Sequence, residues 1–169
     1  LPSMQNYTFR ILLALALVAS AFNLVSIYGI EHVTEFPLWL NYIIQMMYAI
    51  PFTSIPMIYY LYVMSLTIQN RIITKRRIAL IAIPFAIELL IIITSPFTHW
   101  HIHFNDSLQY GLGWAGYITY ALSFFYILLC IIDLFRYNKL LNKMQVTAIL
   151  LICFTCAFSV FLQATFSAI

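Results

Sequence analysis

Five long apolar stretches dominate the hydrophobic pattern of the chain. They cover roughly residues 9–30, 38–66, 78–96, 114–135 and 146–169, and each is nearly continuous in Leu, Ile, Phe, Ala and Tyr. A helix needs about 20 mostly apolar residues to cross a hydrocarbon core about 30 Å thick. Since no stretch alternates apolar and polar residues as a membrane β-strand does, the pattern predicts an all-α, polytopic transmembrane helix bundle.

The composition agrees with a membrane-embedded chain. The 169 residues are 64% hydrophobic and only 8% charged, whereas a soluble domain carries about 25% charged residues. So few charges cannot cover a soluble globule, which excludes a soluble enzyme or a nucleic-acid-binding protein. The sequence contains no P-loop, dinucleotide fingerprint, HExxH run or nucleophile–base arrangement, and it therefore predicts neither a catalytic site nor a cofactor.

The basic residues fall in alternate connections between the spans. All eight Lys and Arg residues lie at the start of the first span, between the second and third spans, or between the fourth and fifth. The other connections, residues 31–37 and 97–113, carry Glu31, Glu35, Asp106 and all four histidines. Because positively charged loops stay in the cytoplasm, we predict that the N-terminus and the basic loops are cytoplasmic and that the histidine-bearing loop is outside.

The number of spans and the position of the last one predict further helices beyond this sequence. The fifth span ends outside at Ile169, so we expect a fragment of a longer chain, and one more helix at each end would give a seven-helix module.

The second span would measure about 43 Å as a straight helix. Pro51 and Pro56 each remove a helix hydrogen bond, which predicts a kink and a tilt. The prolines either shape packing alone or form a hinge in a signalling helix.

Glu88 is the most informative single residue. It lies ten positions into the third span, about 15 Å deep by helical rise. A carboxylate at such a depth costs about 2.5–3.5 kcal/mol by insertion scales, so we expect Glu88 to face the bundle interior, in its neutral form. Two interpretations stay open: a ligand contact, proton relay or switch, and a structural hydrogen bond between helices.

Other polar side chains recur in the outward-facing half of the spans. Asn41, Gln45 and Tyr48 share one face of the second span. Hydrocarbon offers polar groups no partners, so we expect these side chains to converge on an outward-opening cavity for a small ligand. The alternative is interhelical hydrogen bonding without a ligand. The other polar residues of this set are Tyr117, Tyr120, Ser123 and Tyr126 of the fourth span, Ser159 and Gln163 of the fifth, and Asn23 of the first.

The histidine-bearing loop has a pattern of its own. His99, His101 and His103 alternate with aromatic and aliphatic residues, and an Asn-Asp-Ser turn follows. This alternation predicts a short β-hairpin with three histidines on one face. Imidazoles in this arrangement suit zinc, copper or nickel, with Asp106 and His32 as further candidate ligands. The alternative is the polar face of a lid.

Two other features are interpreted as structural. Cys153 and Cys156 have CxxC spacing but lie inside an apolar helix, where small packing residues are expected rather than a redox pair. Asp133, at the inner end of the fourth span, is expected to meet Arg136 or another basic loop residue.

Four groups of residues carry a resemblance to a known family. They are Pro2, Asn6 and Phe9; the PLWLNY run at 37–42; residues 95–97, Phe104, Asp106, Tyr110 and Gly111 or Gly113; and Gln163. With these residues the chain resembles the N-terminal multi-helix sensor module that precedes GGDEF-type diguanylate cyclase domains in many Firmicutes proteins. It is also similar to the seven-helix input regions of some histidine kinases. His101 and His103 depart from this pattern, which has apolar or aromatic residues there.

The resemblance implies a signal-input domain in the bacterial plasma membrane. Its partners would be the bilayer, a small extracytoplasmic ligand, a cytoplasmic output domain of the same chain and possible second copies in a homodimer. The output would be a diguanylate cyclase that makes cyclic di-GMP, or a histidine kinase. An alternative from another class is a small proton-coupled transporter, or a transporter subunit, that uses Glu88 as its coupling carboxylate. A membrane enzyme ranks last, because no catalytic constellation is present.

Overall fold

The computed structural model describes residues 4–67, 75–105, 108–137, 139 and 141–166. These residues form five α-helices: α1 (Met4–Glu31), α2 (Leu38–Thr67), α3 (Lys75–Thr98), α4 (Trp114–Tyr137) and α5 (Lys143–Phe166). All five are long and apolar enough to cross a membrane. The predicted transmembrane helix bundle is therefore confirmed.

Most of the helices extend a few residues beyond the predicted apolar stretches. The start of α5 shows why, because polar residues there stabilise the first turn. The Gln145 N–H donates to Asn142 Oδ1 at 2.7 Å, and the Asn142 N–H donates to Gln145 Oε1 at 3.1 Å. This reciprocal cap satisfies two amide groups that the helix leaves without partners. The apolar stretch therefore locates the membrane span but underestimates the length of the helix.

Helix α2 occupies the centre of the bundle. It packs against α1, α3 and α4, whereas α5 packs against α4. Its 30 residues continue as one helix through Pro51 and Pro56 and measure about 45 Å at 1.5 Å per residue. The predicted hinge at the prolines stays a prediction.

A compact hydrophobic core joins α2, α3, α4 and α5 in the half of the bundle that contains the start of α3. We call that half, with the start of α5 and the end of α4, the basic end. Tyr59 donates a hydrogen bond to the backbone oxygen of Ile149 at 3.2 Å and so ties α2 to α5. Cys130 and Cys153 lie buried in the same core as free thiols. Cys156 packs against this core, so the positions of Cys153 and Cys156 support their interpretation as packing residues.

One ion pair closes the basic end of the core. Arg77 on α3 pairs with Asp133 on α4 at 2.6 Å, and Tyr60 on α2 donates to the same carboxylate at 2.9 Å. The Arg77 guanidinium also donates to the Tyr60 hydroxyl at 2.9 Å. The sequence predicted that Asp133 would meet either Arg136 or another basic loop residue. The partner is Arg77, which precedes the third predicted span. Arg136 instead stacks over the Tyr137 ring, 5.7 Å from its centre.

The opposite end of the bundle carries the predicted β-hairpin, and we call it the hairpin end. Strands β1 (Ile102–Phe104) and β2 (Tyr110–Leu112) pair antiparallel, with His103 opposite Gly111. The strands are docked on three helices, through Tyr42 of α2, Ser95 of α3 and Thr119 of α4.

The junction between the hairpin and α4 requires a glycine. Gly113 donates its N–H to the backbone oxygen of His101 at 2.8 Å, and Ala115 donates to that of Trp100 at 3.0 Å. A Cβ atom at Gly113 would collide with the Trp100 carbonyl group. The two backbones can therefore approach this closely only where no side chain stands between them.

We predict that Asp133→Ala lowers the free energy of unfolding by about 1–3 kcal/mol, because it leaves Arg77 and Tyr60 without their acceptor. The Asp133→Asn variant keeps an acceptor for Tyr60 and should lose less. Thermal and denaturant unfolding of the purified protein in mild detergent measures both values. Glu35→Ala, which removes an exposed carboxylate, is the matched control. An equal loss in the Ala variant and this control would contradict a stabilising role for the cluster.

Candidate functional site

A cavity of about 300 Å³ opens among α1, α2, α4 and the hairpin. It lies at the hairpin end of the bundle, and four of the polar residues expected around a cavity line it: Asn23, Gln45, Tyr48 and Tyr120. Its size is at the lower limit of the range of about 300–1,000 Å³ that is usual for ligand pockets. Its walls consist of Asn23, Ser26, Ile27, Ile30, Gln45, Tyr48, Ala49, Phe52, Thr53, His101, Ile102, Tyr110, Leu112, Gly116, Thr119 and Tyr120.

Three tyrosines from three different elements meet at this cavity. Tyr48 belongs to α2, Tyr110 to β2 and Tyr120 to α4. Burial, with a smaller contribution from Tyr120 and Tyr48, raises the pKa of Tyr110 above its usual value. The Tyr110 phenol is therefore neutral at physiological pH. The Tyr48 and Phe52 rings lie 5.5 Å apart and provide an adjacent aromatic wall.

Gln45 contributes to the cavity wall and also ties α2 to α1. Ser26 donates its hydroxyl to Gln45 Oε1 at 2.8 Å, and Gln45 Nε2 donates to the Ser26 backbone oxygen at 3.3 Å. Because both amide atoms are used, the side chain has one defined orientation. The two interpretations of the polar residues, cavity and interhelical hydrogen bond, are thus compatible at this position.

Glu88 lies behind the cavity, near the middle of α3. Only 4% of its surface is exposed, and its carboxyl group lies close to the Thr119 side chain of α4. Its Oε1 atom has no hydrogen-bond partner among the described residues. Glu88 therefore faces the bundle interior, as expected of an ionisable residue within a membrane span.

His101 continues this connection toward the hairpin. Its Nε2 atom lies 3.1 Å from the Thr119 hydroxyl, so Thr119 joins Glu88 on one side and His101 on the other. Burial lowers the pKa of His101 to about 4, and the imidazole is therefore neutral at physiological pH. Polar groups from α3, α4 and the segment before β1 thus lie next to one another, and two of them, Thr119 and His101, line the cavity.

The other histidines have separate partners. His99 Nδ1 lies 2.6 Å from the Tyr42 hydroxyl, and the His103 ring lies over Gly111. His32 bonds to the Tyr28 backbone oxygen and stacks on the Tyr28 ring. Within the described ranges no group of three or more His, Cys, Asp or Glu side chains is arranged to hold a metal ion. Asp106, the other candidate ligand, lies outside the described residues.

The other predicted residues whose side chains the structure describes are not among those that line the cavity. Asn41 is completely buried and lies against Gly29 of α1, where an added Cβ atom would come within 3.0 Å of its Oδ1 atom. Tyr117 is 46% exposed, which contradicts the prediction that it faces the bundle interior. The Gln163 side chain lies outside the described part of the structure. Tyr126 donates to the Ile81 backbone oxygen at 2.7 Å and so ties α4 to α3.

Sequence reasoning missed several cavity residues, above all Ser26, Phe52 and Thr119. Small hydroxyl residues are common inside membrane helices and carry little signal by themselves. Thr119 does lie four positions before Ser123 and seven before Tyr126, and all three are buried. That spacing is the signal that could have identified the inward face of α4.

Comparison with known proteins gives no match for this chain. No protein-family model, no curated protein and no solved structure is significantly similar to it. Support for a function therefore comes from the residues and geometry of the chain itself.

We predict that acidification destabilises the protein through His101. The folded pKa of about 4 lies below the unfolded value of about 6.5. Between these two pH values the unfolded chain binds more protons, so stability falls as the pH falls. The loss from pH 7 to pH 5 should be about 2 kcal/mol.

Melting curves of the wild type and the His101→Gln variant at both pH values measure this effect. Glutamine can place an amide near the Thr119 hydroxyl but does not titrate, so the variant should lose much less stability on acidification. The same loss in wild type and variant would assign the pH dependence to other groups.

Proposed function

We propose that the chain is a signal-input module in a bacterial plasma membrane, which binds a small ligand and regulates a cytoplasmic output domain of the same protein. The cavity at the hairpin end is the observation that carries this proposal. It combines aromatic walls, converging hydroxyl groups and a docked hairpin, which are features that ligand pockets share.

The charge pattern supports access to this cavity from outside the cell. Arg10, Arg76, Arg77, Arg136 and Lys139 all belong to the basic end of the helices or to the connections there. By the positive-inside rule that end faces the cytoplasm. The hairpin end then faces outward, and an extracytoplasmic ligand can reach the cavity without crossing the bilayer.

Helix α3 offers a route from the cavity to the cytoplasm. Glu88 lies close to Thr119 of the cavity wall, and Arg77, at the basic end of the same helix, pairs with Asp133 of α4. A movement of α4 on ligand binding would therefore act on α3 at both places. A ligand drives such a movement only if it binds one arrangement more tightly than the other.

The resemblance to sensor modules of GGDEF-type diguanylate cyclases supports the choice of output. In this proposal one further helix after Ile169 leads into a cytoplasmic cyclase, and the bound ligand changes the rate at which cyclic di-GMP is made. The reading frame downstream of Ile169 tests this directly. A GGDEF or kinase domain after one more helix is the expected finding, and a stop codon soon after Ile169 would contradict it.

We predict that Gln45→Ala and Glu88→Gln each change the output activity of the full-length protein by about five-fold or more, the low end of usual coupling energies. Both changes alter the connection between the cavity and the helices, whereas Met47→Ala on the exposed face of α2 should leave output unchanged. Product formation is measured with each variant in native membranes, and gel filtration in detergent checks that the variants fold.

Two results would contradict the proposal. One is unchanged output in well-folded Gln45→Ala and Glu88→Gln variants across growth conditions. The other is proton-coupled uptake of a solute into proteoliposomes that Glu88→Gln abolishes, because that result would identify the chain as a transporter.

A further inference from the structure

The described residues that line the cavity are all uncharged or, like His101, neutral at physiological pH. Among the described residues of its wall there is no Lys, Arg, Asp or Glu. The one lining residue that titrates near neutral pH elsewhere is His101, and burial keeps its pKa at about 4. At physiological pH the whole described lining is therefore uncharged.

An uncharged lining selects against charged ligands. An ion that enters a site of this kind loses its hydration and gains no opposite charge in return, which is strongly unfavourable. Carboxylates, phosphates and sulfonates meet this penalty in full. Glu88 is not among the lining residues, so a cation in the cavity would not contact its carboxyl group.

The lining has two groups that suit a neutral ring. The Tyr48 and Phe52 rings form an apolar wall, on which a flat ring can stack. The hydroxyl groups of Tyr110 and Tyr120 supply donors and acceptors from the hairpin and from α4. A ring with one polar atom can therefore use both parts of the cavity at once.

We propose that the cavity binds an uncharged, ring-containing molecule with at least one hydroxyl or carbonyl oxygen, held between the Tyr48–Phe52 wall and the Tyr110 and Tyr120 hydroxyl groups. This inference rests on the proposed function, because it names the chemical class of the ligand that the input module would recognise. Since the hairpin carries Tyr110 and His101, such a ligand would bridge the hairpin and the helices. The proposal thereby links occupancy of the cavity to hairpin position.

Four naphthalene derivatives of nearly equal size test the ligand class. They are 1-naphthol, which is neutral and has a hydroxyl group; naphthalene, which lacks the oxygen; 1-naphthalenesulfonate, an anion; and 1-naphthylmethylammonium, a cation. Equilibrium dialysis against the purified chain in nanodiscs of zwitterionic lipid gives each dissociation constant, and empty nanodiscs correct for partition into lipid. We expect 1-naphthol to bind at least about ten-fold more tightly than either ion, a difference of about 1.4 kcal/mol.

Variants of the lining show whether binding occurs in this cavity. Phe52→Leu should weaken 1-naphthol and naphthalene alike, because both use the aromatic wall. The double variant Tyr110→Phe/Tyr120→Phe should weaken 1-naphthol about three- to ten-fold, as expected for lost hydrogen bonds, and should leave naphthalene unchanged. Met47→Ala, on the same helix as Phe52 but exposed, is the matched control and should change neither.

The outcomes separate this inference from the proposed function. Binding of either ion as tight as that of 1-naphthol, and sensitive to Phe52→Leu, would overturn the ligand class but keep the cavity as a binding site. Absence of any 1-naphthol binding that depends on Phe52 would also overturn the inference. Neither of these two binding results contradicts the proposed function, which is tested separately by the output of the full-length protein in the Gln45→Ala and Glu88→Gln variants.

Discussion

The hydrocarbon core of a bilayer offers no hydrogen-bond partners, and this constraint determines how the polar side chains of the bundle are arranged. Each must find its partner on another helix or on its own backbone. Ser26 with Gln45 joins α1 to α2, and Tyr60 with Asp133 joins α2 to α4. Arg77 pairs with the same carboxylate and adds α3, and the Tyr59 hydroxyl group joins α2 to α5 through the Ile149 backbone oxygen. A few polar groups thus link all five described helices.

Sequence reasoning predicted the spans and the hairpin because both depend on local patterns. A run of about 20 apolar residues is decisive wherever it occurs, and alternation in the loop is typical of a strand. The burial of Gln45 and Glu88 also followed from the cost of exposing polar groups to lipid. None of these inferences required knowledge of which helices are neighbours.

The pairings themselves could not be predicted from the sequence. A helix that is apolar almost all round gives little indication of its inward face, so Tyr117 was placed inward although it is 46% exposed. Arg77 and Asp133 are far apart in the sequence, and only the packing of α3 against α4 brings them together. His101 was considered as a metal ligand because of its neighbours in sequence. Its actual partner, Thr119, belongs to a helix that begins after the hairpin.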